Sequence, residues 1–241
     1  MENEAEYFSK INLRVFQDKS AFCFGIDALL LSNFAQVKKN SRGFDLGTGT
    51  GIIPLLMAKT SPAAHFTAVE IQKEFVALAQ KNVEINQLED KISVEEGDIK
   101  SLSSIYKAES ADFVTSNPPY AKADSSRQNP NQAKNIARHE ILCNLDDVVR
   151  GAAWLLKSNA SFFMIHRPQR LGEIIVSFSK HGLEAKKLQL LCPFADSEPS
   201  MILIEGKKNA RPNLEILPPL VIYQAEGIYS QKVQEIYDKI R

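Results

Sequence analysis

The stretch Gly43-Phe-Asp-Leu-Gly-Thr-Gly-Thr-Gly51 joins a short apolar run to a helical pattern that begins at Ile52. A glycine-rich turn between two such patterns is typical of a strand that ends where a helix starts. Glycines let the backbone adopt unusual dihedral angles and approach a ligand closely. The dinucleotide fingerprint Gly-x-Gly-x-x-Gly needs a third glycine where this chain has Ile52. The spacing Gly-x-Gly-x-Gly therefore favours a nucleotide ligand without a pyrophosphate.

Strand and helix patterns alternate on both sides of this stretch. Short apolar runs predict strands at residues 43–46, 66–70, 92–96, 111–116, 161–166, 183–191 and 201–207. Helical spacing predicts helices at residues 52–59, 73–86, 145–157 and from Pro168 to about His181. This rhythm predicts an α/β fold with an open, mostly parallel sheet and helices on both faces.

Carboxylates stand at the ends of the first three predicted strands. Glu70 can accept hydrogen bonds from both hydroxyls of a ribose. Asp98 can accept a hydrogen bond from the exocyclic amine of a base such as adenine, while Ile99 covers the face of the base. Taken singly, Asp45 is also explained as a turn cap, Glu70 as a solvated strand end and Asp98 as a loop start. Because ligands bind beyond the carboxyl ends of parallel strands, we interpret the three together as a nucleotide site.

This arrangement resembles the S-adenosyl-L-methionine-dependent methyltransferases of the Rossmann-like class I, whose mostly parallel sheet has seven strands, over about residues 43–207. The resemblance implies that Asp45, Gly47 and Gly49 line the methionine end of S-adenosyl-L-methionine. It assigns the ribose to Glu70 and the adenine to Asp98 and Ile99. The resemblance completes the candidate cofactor-binding set with Thr48, Gly51, Ile71 and Asn117.

The tetrapeptide Asn117-Pro-Pro-Tyr120, an NPPY motif, directly follows the fourth predicted strand. A planar amine is a poor nucleophile because its lone pair is delocalised. The Asn117 side-chain oxygen and the Pro118 carbonyl can accept hydrogen bonds from its two N–H groups. Pro118 and Pro119 would hold that carbonyl in a fixed position. Tyr120 can stack on the flat substrate. We therefore predict that residues 117–120 are catalytic, acting through position and electrostatics; the alternative is an ordinary turn.

The motif specifies a planar amino group but leaves the acceptor open. It resembles motifs of enzymes that methylate adenine N6, guanine N2 or the glutamine side-chain amide. About 42 residues precede the glycine loop, which is too short for the helical domain that glutamine methyltransferases usually carry. No region is long enough for the recognition domain of DNA adenine methyltransferases. A non-catalytic nucleotide-binding module remains as an alternative from another class.

Three flanking pieces narrow the choice. They are Phe24-Gly-Ile-Asp-Ala-Leu-Leu30, Ala137-Arg-His-Glu140 and Leu217-Pro-Pro-Leu-Val-Ile-Tyr-x-x-x-Gly-Ile-Tyr229. Together with the core motifs they resemble the tRNA1(Val) adenine-37 N6-methyltransferases almost end to end. The resemblance implies that the base next to the anticodon is the substrate and that Asp27 closes over the cofactor. The first piece is equally explained as an amphipathic helix packed on the sheet.

Charge offers a second indication about the substrate. Lys plus Arg and Asp plus Glu both count 29, which argues against binding nucleic acid by bulk charge. Four cations, however, stand against Asp124 alone between positions 121 and 138: Lys122, Arg127, Lys134 and Arg138. Since this segment starts at the NPPY motif, we predict that its cations bind tRNA phosphates. The alternative is a set of solvated residues that serve solubility.

Composition sets the remaining expectations. The chain has 241 residues, and its 3 cysteines and 4 histidines are too scattered to suggest a metal site. Sparse cysteines, an acidic start and no long apolar run predict a cytoplasmic protein without membrane spans. We expect an N-terminal segment over residues 1–41, a methyltransferase domain over 42–208 and an extension over 209–241 packed on it. The oligomeric state is not predicted.

Overall fold

The computed structural model of the chain describes residues 5–17, 25–61, 65–118 and 143–240. The first described element is a hairpin of two antiparallel strands, β1 (Ala5–Phe8) and β2 (Leu13–Phe16). The sequence patterns did not predict this hairpin. Its Phe8, Leu13 and Val15 are buried in the core, so it packs on the main body of the protein.

In the part of the chain that the structure describes, the central sheet contains eight strands. They are β3 (Arg42–Leu46), β4 (His65–Glu70), β5 (Ile92–Glu96), β6 (Ala111–Ser116), β7 (Leu156–His166), β8 (Leu183–Cys192), β9 (Met201–Lys208) and β10 (Glu215–Val221). Their spatial order is β10-β8-β9-β7-β6-β3-β4-β5. All neighbours are parallel except β9, which runs antiparallel to β7 and β8.

The helices surround this sheet. They are α1 (Ile26–Phe34), α2 (Ile52–Thr60), α3 (Lys73–Ile85), α4 (Leu102–Ile105), α5 (Leu145–Leu155), α6 (Leu171–Lys180) and α7 (Gln231–Tyr237). Short 3₁₀ turns at Ile99–Ser101 and Pro168–Arg170 precede α4 and α6, and a small hairpin of β11 (Tyr223–Ala225) and β12 (Ile228–Tyr229) precedes α7.

Successive side chains along the strands point to opposite faces of the sheet and belong to two hydrophobic cores, one on each face. Phe113 and Phe163 belong to the core that contains α1 and α2 residues, whereas Val114 and Phe162 belong to the core that contains α5 and α6 residues. The predicted α/β sheet with helices on both faces is therefore confirmed, and all seven predicted strands are present.

The eighth strand, β10, was not among the predicted strands and lies in the expected extension over residues 209–241. It lies at the edge of the sheet and pairs with β8 alone, and the register shifts between Leu217 and Leu220. Pro218 and Pro219 fall in this shift. A proline has no N–H to donate, so an edge strand with a bulge is where a sheet tolerates it. The sequence of β10 therefore fits an edge strand.

The C-terminal end of α5 differs from its prediction by a change of structure type. The helical pattern was expected to reach residue 157, but α5 ends at Leu155 and β7 begins at Leu156. Leu156 pairs with Ala111 of β6, and the Lys157 ammonium donates to an Asp112 carboxylate oxygen at 2.7 Å. Leucine and lysine favour helices, so this strand start results from tertiary pairing.

The strand order places a crevice at one point of the sheet. The chain moves from β3 to β4 and β5 on one side, and β6 and β7 lie on the other side of β3. Ligands bind outside the carboxyl ends of the strands at such a switch point. Among the described residues, no helix is both long and apolar enough to cross a membrane.

Candidate active site

The glycine loop lies at the carboxyl end of β3. Gly47, Gly49 and Gly51 all have positive φ angles, of 70°, 56° and 80°, which explains why side chains are absent there. The N–H groups of Gly47 and Thr48 donate to the Val69 carbonyl at 2.9 and 3.1 Å. A Cβ atom added at Gly47 or Gly49 would meet nothing within 4 Å. The two glycines therefore border open space, as a ligand cradle requires.

Asp45, the last acidic residue before the loop, is fully buried. Its two carboxylate oxygens accept from the Thr48 and Thr115 hydroxyls, each at 2.6 Å. Burial raises the pKa of Asp45 to about 6, and the two hydroxyl hydrogen bonds only partly offset that rise. The residue is thus an ionised carboxylate at neutral pH that lacks solvent, and a cation placed beside it would be attracted strongly.

Glu70 links the end of β4 to the glycine loop. Its side chain is almost fully buried, with 6% exposure. One oxygen accepts from the Ile71 and Gln72 N–H groups at 3.0 Å, and the other accepts from the Gly49 N–H at 3.0 Å. A carboxylate has about four acceptor positions, so the Gly49-facing oxygen keeps capacity for a further donor such as a hydroxyl.

Asp98 and Ile99 follow β5 on the same edge. One Asp98 oxygen accepts from the Lys100 N–H at 2.8 Å, and the residue caps the 3₁₀ turn. The α5 helix packs against this turn. Burial, together with the carboxylates of Asp147 and Asp98, raises the pKa of the nearby Cys143 thiol to about 12. Asp98 is therefore both a structural cap and a half-buried acceptor at the strand end.

Asn117 and Pro118 extend from the end of β6, the strand next to β3. Thr115 pairs with Asp45 across the two strands, and the Ser116 hydroxyl donates to the Leu46 carbonyl at 2.8 Å. Asn117 is half-buried and Pro118 is buried. Since Asn117 lies two residues beyond the Asp45 partner, the structure brings it to the same crevice as the glycine loop.

A histidine at the end of the neighbouring strand joins this edge. His166 is 1% exposed, and its Nδ1 atom accepts from the Arg167 N–H at 2.8 Å. Burial lowers the pKa of His166 to about 4, so the ring is neutral at physiological pH. A neutral imidazole whose Nδ1 is already engaged adds no positive charge to the crevice.

The structure thus brings together the predicted residues of four successive strand ends: Asp45 with Gly47, Thr48, Gly49 and Gly51, Glu70 with Ile71, Asp98 with Ile99, and Asn117 with Pro118. Asp27 lies in the first turn of α1, a helix that packs on α2 and β7, as the alternative interpretation of that segment expected. Six predicted residues lie outside the described ranges: Pro119, Tyr120, Lys122, Arg127, Lys134 and Arg138.

Sequence reasoning missed Thr115. Its hydroxyl supplies half of the hydrogen bonding of the Asp45 carboxylate. A hydroxyl residue near the end of a predicted strand, two positions before Asn117, was the available signal. Its pairing with Asp45 depends on the register of β3 and β6, which the sequence does not show.

Comparison with known proteins identifies the family. The model of the methyltransferase small domain family matches residues 13–170. The chain belongs to the methyltransferase small domain family. This methyltransferase is 30% identical to the tRNA1(Val) (adenine(37)-N6)-methyltransferase of Phocaeicola vulgatus, over 94% of this chain and 93% of that protein. It is 28% identical to the protein of that name from Bacteroides thetaiotaomicron, over 96% and 97%. The resemblance inferred from the motifs is therefore confirmed.

Solved structures agree on the fold. A protein from Agrobacterium tumefaciens, described as a predicted O-methyltransferase, superposes with a TM-score of 0.72 at 21% identity. The match covers 88% of this methyltransferase and 96% of that chain. At this identity the likeness supports the Rossmann-like architecture alone. Among the described residues, no group of three or more histidine, cysteine, aspartate or glutamate side chains is arranged to hold a metal ion.

Proposed function

We propose that this methyltransferase transfers a methyl group from S-adenosyl-L-methionine to the N6 amine of adenine in tRNA, at the position next to the anticodon. The observation that carries the proposal is the convergence of Asp45, Glu70, Asp98 and Asn117 at consecutive strand ends around open glycines. The named activity of the relatives from Phocaeicola vulgatus and Bacteroides thetaiotaomicron supports the choice of adenine 37 in tRNA.

The residues present fit the proposed cofactor. S-adenosyl-L-methionine supplies a methyl group on a positively charged sulfur, which an amine nitrogen can take by direct displacement. The ionised Asp45 carboxylate would hold the cationic methionine end, and Gly47 and Gly49 leave room for close approach. The remaining acceptor capacity of Glu70 suits ribose hydroxyls, and Asp98 with Ile99 suits an adenine.

Asn117 and Pro118 would orient the acceptor nitrogen. The two N–H groups of adenine N6 can donate to the Asn117 side-chain oxygen and the Pro118 carbonyl, which counters delocalisation of the lone pair. We propose that Tyr120 stacks on the flipped base and that Lys122, Arg127, Lys134 and Arg138 hold tRNA phosphates. An anticodon-loop base is partly single-stranded already, which lowers the energy needed to extrude it. The extra proton leaves to water after transfer.

Substitution of Asn117 tests this assignment. Asn117→Ala removes one acceptor, and we expect the rate of transfer to tRNA to fall by roughly a hundredfold, while the affinity for S-adenosyl-L-methionine stays within about threefold. Asn117→Asp keeps an acceptor oxygen and should retain more activity than Asn117→Ala. Methyl transfer from labelled cofactor and calorimetric titration measure the two quantities. An alanine variant with the wild-type rate contradicts the proposed role.

The identity of the acceptor needs a separate readout. Total tRNA and total protein are incubated with the enzyme and labelled cofactor, and mass spectrometry identifies the methylated nucleoside. We expect N6-methyladenosine in tRNA. Label in protein would favour a glutamine acceptor, N2-methylguanosine would favour guanine, and cofactor binding without transfer to either fraction would favour a binding module.

A further inference from the structure

Two asparagine side chains, Asn82 in α3 and Asn86 at the C-terminal cap of α3, pair with the backbone of β2 as a neighbouring strand would. Asn82 and Asn86 lie one helical turn apart and are 0% and 8% exposed. The Asn82 amide accepts from the Phe16 N–H at 2.7 Å and donates to the Phe16 carbonyl at 3.0 Å. The Asn86 amide pairs in the same way with Arg14, at 2.8 and 2.6 Å. Each amide therefore satisfies both backbone groups of one β2 residue.

The second N–H of the two amides is used differently. Asn82 donates it to the Thr50 carbonyl at 3.0 Å, inside the glycine loop. Asn86 donates it to the Asn82 backbone carbonyl at 2.6 Å, in the last turn of α3. An amide group has two donor hydrogens, so both hydrogens of each side chain are engaged. Asn82 alone of the two therefore connects β2 to the glycine loop.

The hydrogen bond to the Thr50 carbonyl attaches the glycine loop to α3. On the other side, the Gly49 N–H donates to Glu70 at 3.0 Å. Gly51 packs against α3, since an added Cβ would lie 3.4 Å from the Ala79 Cβ atom. Glycines have little conformational preference of their own, so contacts outside the loop decide its conformation.

We propose that Asn82 is a positioning residue for the cofactor. Its amide holds the Thr50 carbonyl, and through it the loop of residues 47–51, in the conformation that accepts the ligand. The proposal rests on the proposed function, which places S-adenosyl-L-methionine at that loop. Because Asn86 has the same pairing to β2 and nearly the same burial but no bond to the loop, the chain offers a matched control.

The test compares Asn82→Asp with Asn86→Asp in the full-length chain. Each change removes two donors and sets a carboxylate oxygen against backbone carbonyls, so both variants should lose thermal stability to a similar extent. The affinity for S-adenosyl-L-methionine, measured by calorimetric titration, should fall about tenfold or more in Asn82→Asp and stay within about twofold in Asn86→Asp. The KM for the cofactor should rise in Asn82→Asp while the KM for tRNA stays unchanged.

A second pair covers the case in which a buried charge prevents folding. Asn82→Ala and Asn86→Ala introduce no charge, and at position 82 alanine also favours the helix. We expect the same order, with weaker cofactor binding only in Asn82→Ala. If the Asn82 variant and the Asn86 variant of a pair that folds bind the cofactor equally well, the positioning role of Asn82 is refuted. If the wild-type protein binds no S-adenosyl-L-methionine, the proposed function itself fails, which is a different result.

Discussion

At the residue scale, the chemistry of the site depends on buried carboxylates whose oxygens accept hydrogen bonds from neighbouring groups. Asp45 has no contact with solvent and relies on the Thr48 and Thr115 hydroxyls. Glu70 relies on backbone N–H groups, including that of Gly49. Burying a carboxylate is costly unless it is hydrogen-bonded. The two hydroxyls offset that cost only in part at Asp45, whose pKa stays raised, so this residue lowers the stability of the fold at neutral pH.

The pH dependence of stability should report Asp45. Its pKa is about 6 in the folded protein, against about 4 when unfolded. Between these values the folded state binds more protons, so stability decreases as the pH rises and the loss is complete above about pH 6. Asn at this position does not ionise. From pH 4 to pH 7, the unfolding free energy of the wild type should fall by about 2 kcal/mol relative to Asp45→Asn, measured in urea. Parallel pH profiles would exclude this account.

Gly47 provides a second prediction at this scale. Gly47→Ala places a side chain at a φ of 70° and projects a methyl group into the open space beside the loop. Gly227→Ala is a matched control, because its φ is 72° and its surroundings are equally open. Both variants should lose about 1 to 2 kcal/mol of stability. Only Gly47→Ala should bind S-adenosyl-L-methionine more weakly, and equal binding by both would argue against a cofactor at this loop.

At the scale of single elements, close packing of strands and helices determines which small residues are required. Gly43 in β3 lies under the Phe113 ring, and an added Cβ would be 2.2 Å from it. Phe113 is 2% exposed and packs edge-to-face on Phe66 at 5.2 Å between ring centroids. The ring therefore has no free space into which it can move.

Opposite effects on stability are expected for two glycine-to-alanine changes. Gly43→Ala should lower the unfolding free energy by about 1 to 3 kcal/mol through overpacking. Gly172→Ala, in α6, meets nothing within 4 Å and should raise it by up to about 1 kcal/mol, because alanine favours the helix. Denaturant unfolding measures both. A neutral Gly43→Ala would mean that β3 and β6 can separate locally.

At the scale of the whole molecule, the C-terminal residues complete the sheet and one of its cores. β10 covers the edge of β8, and Leu220, Ile222, Val233 and Ile240 are 6%, 6%, 0% and 2% exposed in the core beside α1 and α2. Lys10 of the N-terminal hairpin donates to the Asp238 carbonyl. The two ends of the described chain thus pack together on one face.

Removal of residues 209–241 should therefore prevent native folding. Burial of four such side chains contributes about 6 to 12 kcal/mol, which is comparable to the total stability of about 5 to 15 kcal/mol typical of a domain. The full chain should unfold in one calorimetric transition, and the truncated chain should show no cooperative transition. Cooperative unfolding of residues 1–208 would show that the extension is dispensable for the fold.

The sequence by itself determined the sheet class, the seven core strands, the family and the strand ends where the candidate residues lie. These features follow from local signals in the sequence, namely apolar periodicity, the glycines of one turn and the consecutive residues of the NPPY motif. Only the tertiary structure decided that residues 215–221 form an eighth strand, that β7 begins at Leu156, that Thr115 faces Asp45 and that Asn82 holds Thr50. Each of these depends on contacts between residues at least 28 positions apart in the chain, such as the register of β3 and β6, and no local pattern encodes such pairings.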